Sequence, residues 1–61
     1  MNTKKIIEMR EKAGLSQTAV ADKLKCTSSA VSQYESGKRE PSFETLVKLA
    51  EIYGCTVNDF V

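Results

Sequence analysis

Histidine and tryptophan are absent from this chain, and its 61 residues hold only two cysteines. Without an imidazole, the commonest general base near neutral pH is missing. Cys26 and Cys55 are too few and too far apart for a zinc ligand set or a disulfide framework. No nucleophile stands beside a base, and so short a chain encloses little cleft, which argues against an enzyme. No metal, no cofactor and no small-molecule ligand is expected. The two thiols read as small, reduced, buried apolar side chains. No apolar run approaches the ~20 residues of a membrane span, and residues 1–10 lack the apolar core of a signal peptide. No membrane partner is expected, and a cytoplasmic location is.

Proline occurs once, at Pro41, and glycine three times. This scarcity makes each one punctuation. Gly14, Gly37 and Gly54 each close an apolar-periodic run, where a left-handed residue is wanted. Each run opens after a capping side chain: Asn2 or Thr3, Ser16, Thr27, Ser42 after Pro41, and Thr56 with Asp59 three residues on. The expected helices cover 3–13, 17–24, 28–35, 43–53 and 57–60. No segment alternates as a strand does, so the chain reads as all-α, a compact five-helix domain over residues 1–61.

Helical spacing places Ile6, Met9 and Ala13 on one inward stripe, and Val20, Ala21 and Leu24 on the next. Val31 and Tyr34 line the third helix, and Leu46, Leu49, Ala50 and Tyr53 the fourth. Leu15, Cys26, Cys55 and Phe60 are expected to fill between them. Two charges interrupt the stripes, Arg10 four residues after Ile6 and Glu35 four after Val31. Opposite charges on two buried faces should pair, since an isolated buried charge costs several kcal/mol. The alternative is that both reach solvent at the helix ends.

The net charge of +1 conceals a division: eight Lys and Arg against four acids over residues 1–39, then one against four over 40–61. Local positive potential of this kind suits a polyanionic partner, although it also arises by chance. The outward arc of the third helix is odd. Ser28, Ser29, Ser32 and Gln33 stand where solvated helices carry Lys and Glu, and Lys38 and Arg39 follow at once. Only Lys25, Cys26 and Thr27 separate the second and third helices. So short a connection favours two helices crossing steeply, the helix-turn-helix unit over 17–35.

With these landmarks, "GLSQTAVADKLKCTSSAVSQYESGKREPS" resembles the Cro-type, or xenobiotic-response-element, family of bacterial and phage repressors. The resemblance rests on Gly14-Leu15-Ser16-Gln17, Ala21, Val31, Glu35, Gly37 and Pro41, with Arg10 upstream. Leu46, Ala50, Tyr53 and Phe60 extend it over nearly the whole chain. It implies a lambda-repressor-like domain whose third helix enters the major groove of double-stranded DNA, and an internal Arg10–Glu35 pair. It assigns base reading to Ser28, Ser29, Ser32 and Gln33, with Thr27 beside them. Phosphate contacts fall to Gln17, Lys38 and Arg39. Ser16, Lys25 and Ser36 border the same surface and are expected to add to them. The family usually has glycine where this chain has Lys25, so a conventional turn there requires a left-handed lysine, at ~1–2 kcal/mol.

The function expected on these grounds is sequence-specific transcriptional regulation, most simply repression, by a protein associated with the nucleoid when bound to DNA. A homodimer, at least on DNA, is expected to use Ile52, Val57, Phe60 and Val61. The competing reading is an antitoxin-like or adaptor module that uses the same fold to hold a protein partner.

Overall fold

The computed structural model describes residues 2–61. Four α-helices run in order: α1 (Thr3–Lys12), α2 (Gln17–Leu24), α3 (Ser28–Ser36) and α4 (Phe43–Tyr53), followed by a 3-10 helix over Val57–Phe60. No strand occurs among the described residues. The expected fifth helix is thus a single tight turn. Four residues close i→i+3 bonds more readily than an α-helical turn, as in Asp59 N–H donating to the Thr56 carbonyl at 3.0 Å.

The starts are capped by side chains. Asn2 accepts from the amides of Lys4 and Lys5, Ser16 from Ala19, Thr27 from Ala30 and Ser42 from Thr45. At Thr56, the Asp59 carboxylate accepts from both the backbone amide and the hydroxyl. These bonds hold the Asp59 carboxyl below its ordinary range. Lys25 ends α2 at φ 59°, ψ 44°, the only non-glycine residue with positive φ among those described.

α2 packs on α3 and α4, while α1 packs on α3, α4 and the 3-10 helix. Between them lie Ile6, Val20, Ala21, Val31, Leu49, Ala50, Tyr53 and Phe60, with Met9, Leu15, Leu24, Leu46, Ile52, Cys55 and Val57 partly buried against that core. A backbone bond from Asn2 N–H to the Phe60 carbonyl, 2.7 Å, ties the start of α1 to the 3-10 helix.

Several expectations are corrected. Phe60 is 0% exposed and belongs to the core, so it cannot also offer a dimer face. Cys26 is exposed, because it lies in the turn outside both helical stripes. Ala13 is exposed as the residue that caps α1, which ends at Lys12 rather than at 13. Conversely, Ala30 and Pro41 are buried, and α3 runs one residue further, to Ser36. Phe43 is 71% exposed, an apolar side chain turned outward from the first turn of α4.

Candidate nucleic-acid interface

α3 is built from weak helix formers. Nine residues holding four serines would barely form a helix alone. Its stability comes from one face, where Ala30, Val31, Tyr34 and Glu35 are buried at helical spacing. The remaining arc then faces outward: Ser28, Ser29, Ser32 and Ser36 are exposed and Gln33 is half-buried.

Two of the surface hydroxyls are already engaged. Thr27 Oγ1 accepts the Ala30 amide at 3.1 Å, and Ser36 Oγ donates to the Gln33 carbonyl at 3.2 Å. Ser28, Ser29, Ser32 and the Gln33 carboxamide make no side-chain hydrogen bond among the described residues, leaving donors and acceptors free for a partner.

The helix is aimed by a buried polar cluster. Arg10 Nε donates to Glu35 Oε2 at 2.6 Å and Nη2 to Oε1 at 3.3 Å, a forked guanidinium–carboxylate pair. Arg10 Nη1 donates to the Leu15 carbonyl at 2.8 Å, which fixes the loop before α2. Glu35 is 7% exposed, and its hydrogen bond to Arg10 raises the guanidinium pKa further above its ordinary value. Gln17 Nε2 completes the cluster at 2.9 Å from Glu35 Oε1. The half-buried Gln17 therefore turns its amide nitrogen inward, where the resemblance implies a phosphate contact. Through this cluster α1, the start of α2 and the end of α3 hold one another at fixed relative positions.

Cations flank the outward arc. Lys38 and Arg39 follow the Gly37 cap of α3, and neither joins a salt bridge among the described residues. The Arg39 guanidinium carbon lies 5.8 Å from the Tyr34 ring centroid, and its backbone N–H donates to the Gln33 carbonyl at 3.2 Å. A cation–π contact of this kind narrows the arc the side chain samples. Ser16 is exposed at the start of α2 and spends its hydroxyl on the Ala19 amide. Lys25 is exposed at the turn.

The Gln17–Glu35 bond and the Arg39–Tyr34 contact escape a reading of the sequence. Each joins residues that do not share a helix, so no periodicity within one element links them. Only the packing of α2 on α3, and the loop after Gly37, brings them together.

Three residues separate α2 from α3, and a helix-turn-helix family profile matches residues 6–60. This chain belongs to the helix-turn-helix family. It is 39% identical over 57 residues to the HTH-type transcriptional regulator PuuR of Escherichia coli (strain K12), a match covering 93% of this chain and 31% of that protein. It is 36% identical over 55 residues to the HTH-type transcriptional regulator ImmR of Bacillus subtilis (strain 168), covering 90% of this chain and 43% of ImmR. The regulator AnsR of the same organism is 36% identical over 61 residues, covering 100% of this chain and 53% of AnsR. The chain thus spans between about a third and about half of the curated relatives it matches. No solved structure matches it.

Within the helix-turn-helix unit, α3 carries the free polar arc and the Arg10–Glu35–Gln17 cluster fixes its angle to α2. Among the described residues there is no group of three or more His, Cys, Asp or Glu placed to hold a metal ion. No helix among them is long and apolar enough to cross a membrane.

Proposed function

We propose that this chain is a sequence-specific double-stranded DNA-binding domain of a transcriptional regulator, and that it acts by repression. The observation that carries this reading is the outward arc of α3. Ser28, Ser29, Ser32 and Gln33 present short, uncharged hydrogen-bonding groups on a helix that Arg10 and Glu35 hold in place. Such a surface fits the major groove, whose base edges display donors and acceptors at close range. Gln33 can bond adenine N6 and N7 together, worth ~1–3 kcal/mol of discrimination. Serine both donates and accepts, so it discriminates poorly, and bridging water and DNA shape supply the rest of the preference. Lys38 and Arg39, with the backbone amides at the helix starts, supply affinity for phosphate.

A homodimer on DNA suits this size of surface, because one reading helix covers few base pairs and two half-sites double the contact. With Phe60 in the core, the residues left for that interface are Ile52 and Val57, both half-buried, and Val61, which is 81% exposed. A cytoplasmic, nucleoid-associated protein with no catalytic activity follows from the same reading.

The direct test is a fluorescence-anisotropy titration of the purified chain with a random-sequence duplex pool, between 50 and 200 mM salt. Binding that weakens steeply with salt is the expected result. The absence of binding at the lowest salt, or co-purification of a stoichiometric protein that occludes α3, would place the chain among protein-interaction modules instead.

A further inference from the structure

Lys25 stands out from every other residue of the turn. Its backbone occupies the left-handed region at φ 59°, which disfavours any side chain with a Cβ and which the glycines at 14, 37 and 54 enter freely. The conformation is enforced locally. Lys25 N–H donates to the Asp22 carbonyl at 3.2 Å and Cys26 N–H to the Ala21 carbonyl at 2.9 Å, closing α2 in a Schellman-like end. A glycine would satisfy both bonds without strain. Nothing inside the protein offsets the strain, since Lys25 is exposed and joins no salt bridge among the described residues. A strained backbone that gains no internal contact points to a use outside the fold.

The position of that charge indicates the use. Lys25 lies two residues before Thr27, which caps the start of α3, and Lys38 lies directly after Gly37, which caps its end. The nine residues of α3 span ~13.5 Å at 1.5 Å per residue. Lys25 and the Lys38–Arg39 pair therefore stand beyond opposite ends of α3, where backbone phosphates flanking a helix seated in the groove come within reach of each.

We infer that Lys25 binds a backbone phosphate beyond the start of α3, at the opposite end of the helix from the phosphates gripped by Lys38 and Arg39, and that the turn gives up stability for this contact. The inference rests on the DNA-binding reading above and adds to it a clamp at the start of α3.

The test compares wild type with Lys25→Gly, Lys25→Asn and Lys25→Arg, with Lys38→Ala as reference, against the random-sequence duplex pool. Asparagine tolerates the left-handed backbone without charge, and arginine keeps the charge. Lys25→Gly should raise Tm by ~4–8 °C and yet weaken binding. Lys25→Gly and Lys25→Asn should each lower the salt slope by ~0.9, as Lys38→Ala does. A fourfold rise in salt then costs wild type about 3.5-fold more affinity than either variant loses. Lys25→Arg should restore the slope. If Lys38→Ala lowers the slope while the two neutral Lys25 variants bind as wild type does, the clamp at Lys25 is refuted and the DNA reading stands. If wild type binds no duplex at any salt, both fail.

Discussion

A guanidinium and a carboxylate on two apolar stripes fix how this protein holds α3. The Arg10–Glu35 pair sits among Leu15, Gln17 and the core, with side-chain exposures of 15% and 6%. Removing one partner strands the other charge in a poorly solvated place, so Arg10→Met should cost ~3–5 kcal/mol in urea unfolding. That approaches the total stability of a chain this short. The double variant Arg10→Met/Glu35→Leu should be more stable than Arg10→Met, because no charge is left unpaired. A loss under about 1 kcal/mol for the single variant would mean a solvated surface pair. Tyr53 presents the opposite case. Its hydroxyl is buried with no hydrogen-bond partner among the described residues, while its ring packs edge-on against Phe60 with centroids 6.3 Å apart. Burial pushes the phenol pKa from 10.0 up to about 12, with Glu35 adding to the rise. The folded state therefore holds this proton more tightly than the unfolded chain, and the associated stability is lost as pH climbs from 10 to 12. Tyr53→Phe should raise Tm at neutral pH and flatten the fall in stability over that alkaline window. A lower Tm for Tyr53→Phe would show that the hydroxyl makes a stabilising bond.

At the scale of the elements, capping chemistry was the most legible part of the sequence. Asn2, Ser16, Thr27 and Ser42 cap the four α-helices, because each is a short side chain whose oxygen reaches back to the first turn. Thr27 serves twice, as the cap of α3 and as a neighbour of its outward polar arc. Thr27→Ala should therefore lower stability by ~1 kcal/mol, a Tm drop of ~4–8 °C. Thr27→Ser, which keeps the oxygen, should recover most of it. Equal Tm values for the two variants would separate the cap from stability. Residues between elements were less legible. Cys26 has the polarity of a core residue but lies in the turn, where neither helix can bury it. Pro41 has no periodicity to betray it, yet the loop after α3 folds it inward. Ala30 is small enough to belong to either face of α3, and packing decides. Gln17 and Arg39 show the same limit within the candidate site. Their chemistry is plain in the sequence, while their partners, Glu35 and Tyr34, are set by tertiary contacts.

At the scale of the whole molecule, the described residues fill 24 × 23 × 19 Å, so α3 crosses a large part of one dimension. The cations at 25, 38 and 39 border one helix, and the acids at 40, 44, 51 and 59 follow it in the chain. On the proposed reading, such a body would be oriented by charge as it approaches a polyanion and would discriminate only where α3 touches base edges. The measurement that tests this division most directly is selection of bound duplexes from a random pool, run in parallel with wild type and Gln33→Ala. Wild type should enrich a short motif, repeated with two-fold symmetry at about one helical turn, and Gln33→Ala should bind DNA while losing the preference at one position of each half-site. Recovery of the same motif by both proteins, or of no motif by wild type, would contradict an account in which the uncharged face of α3 reads sequence.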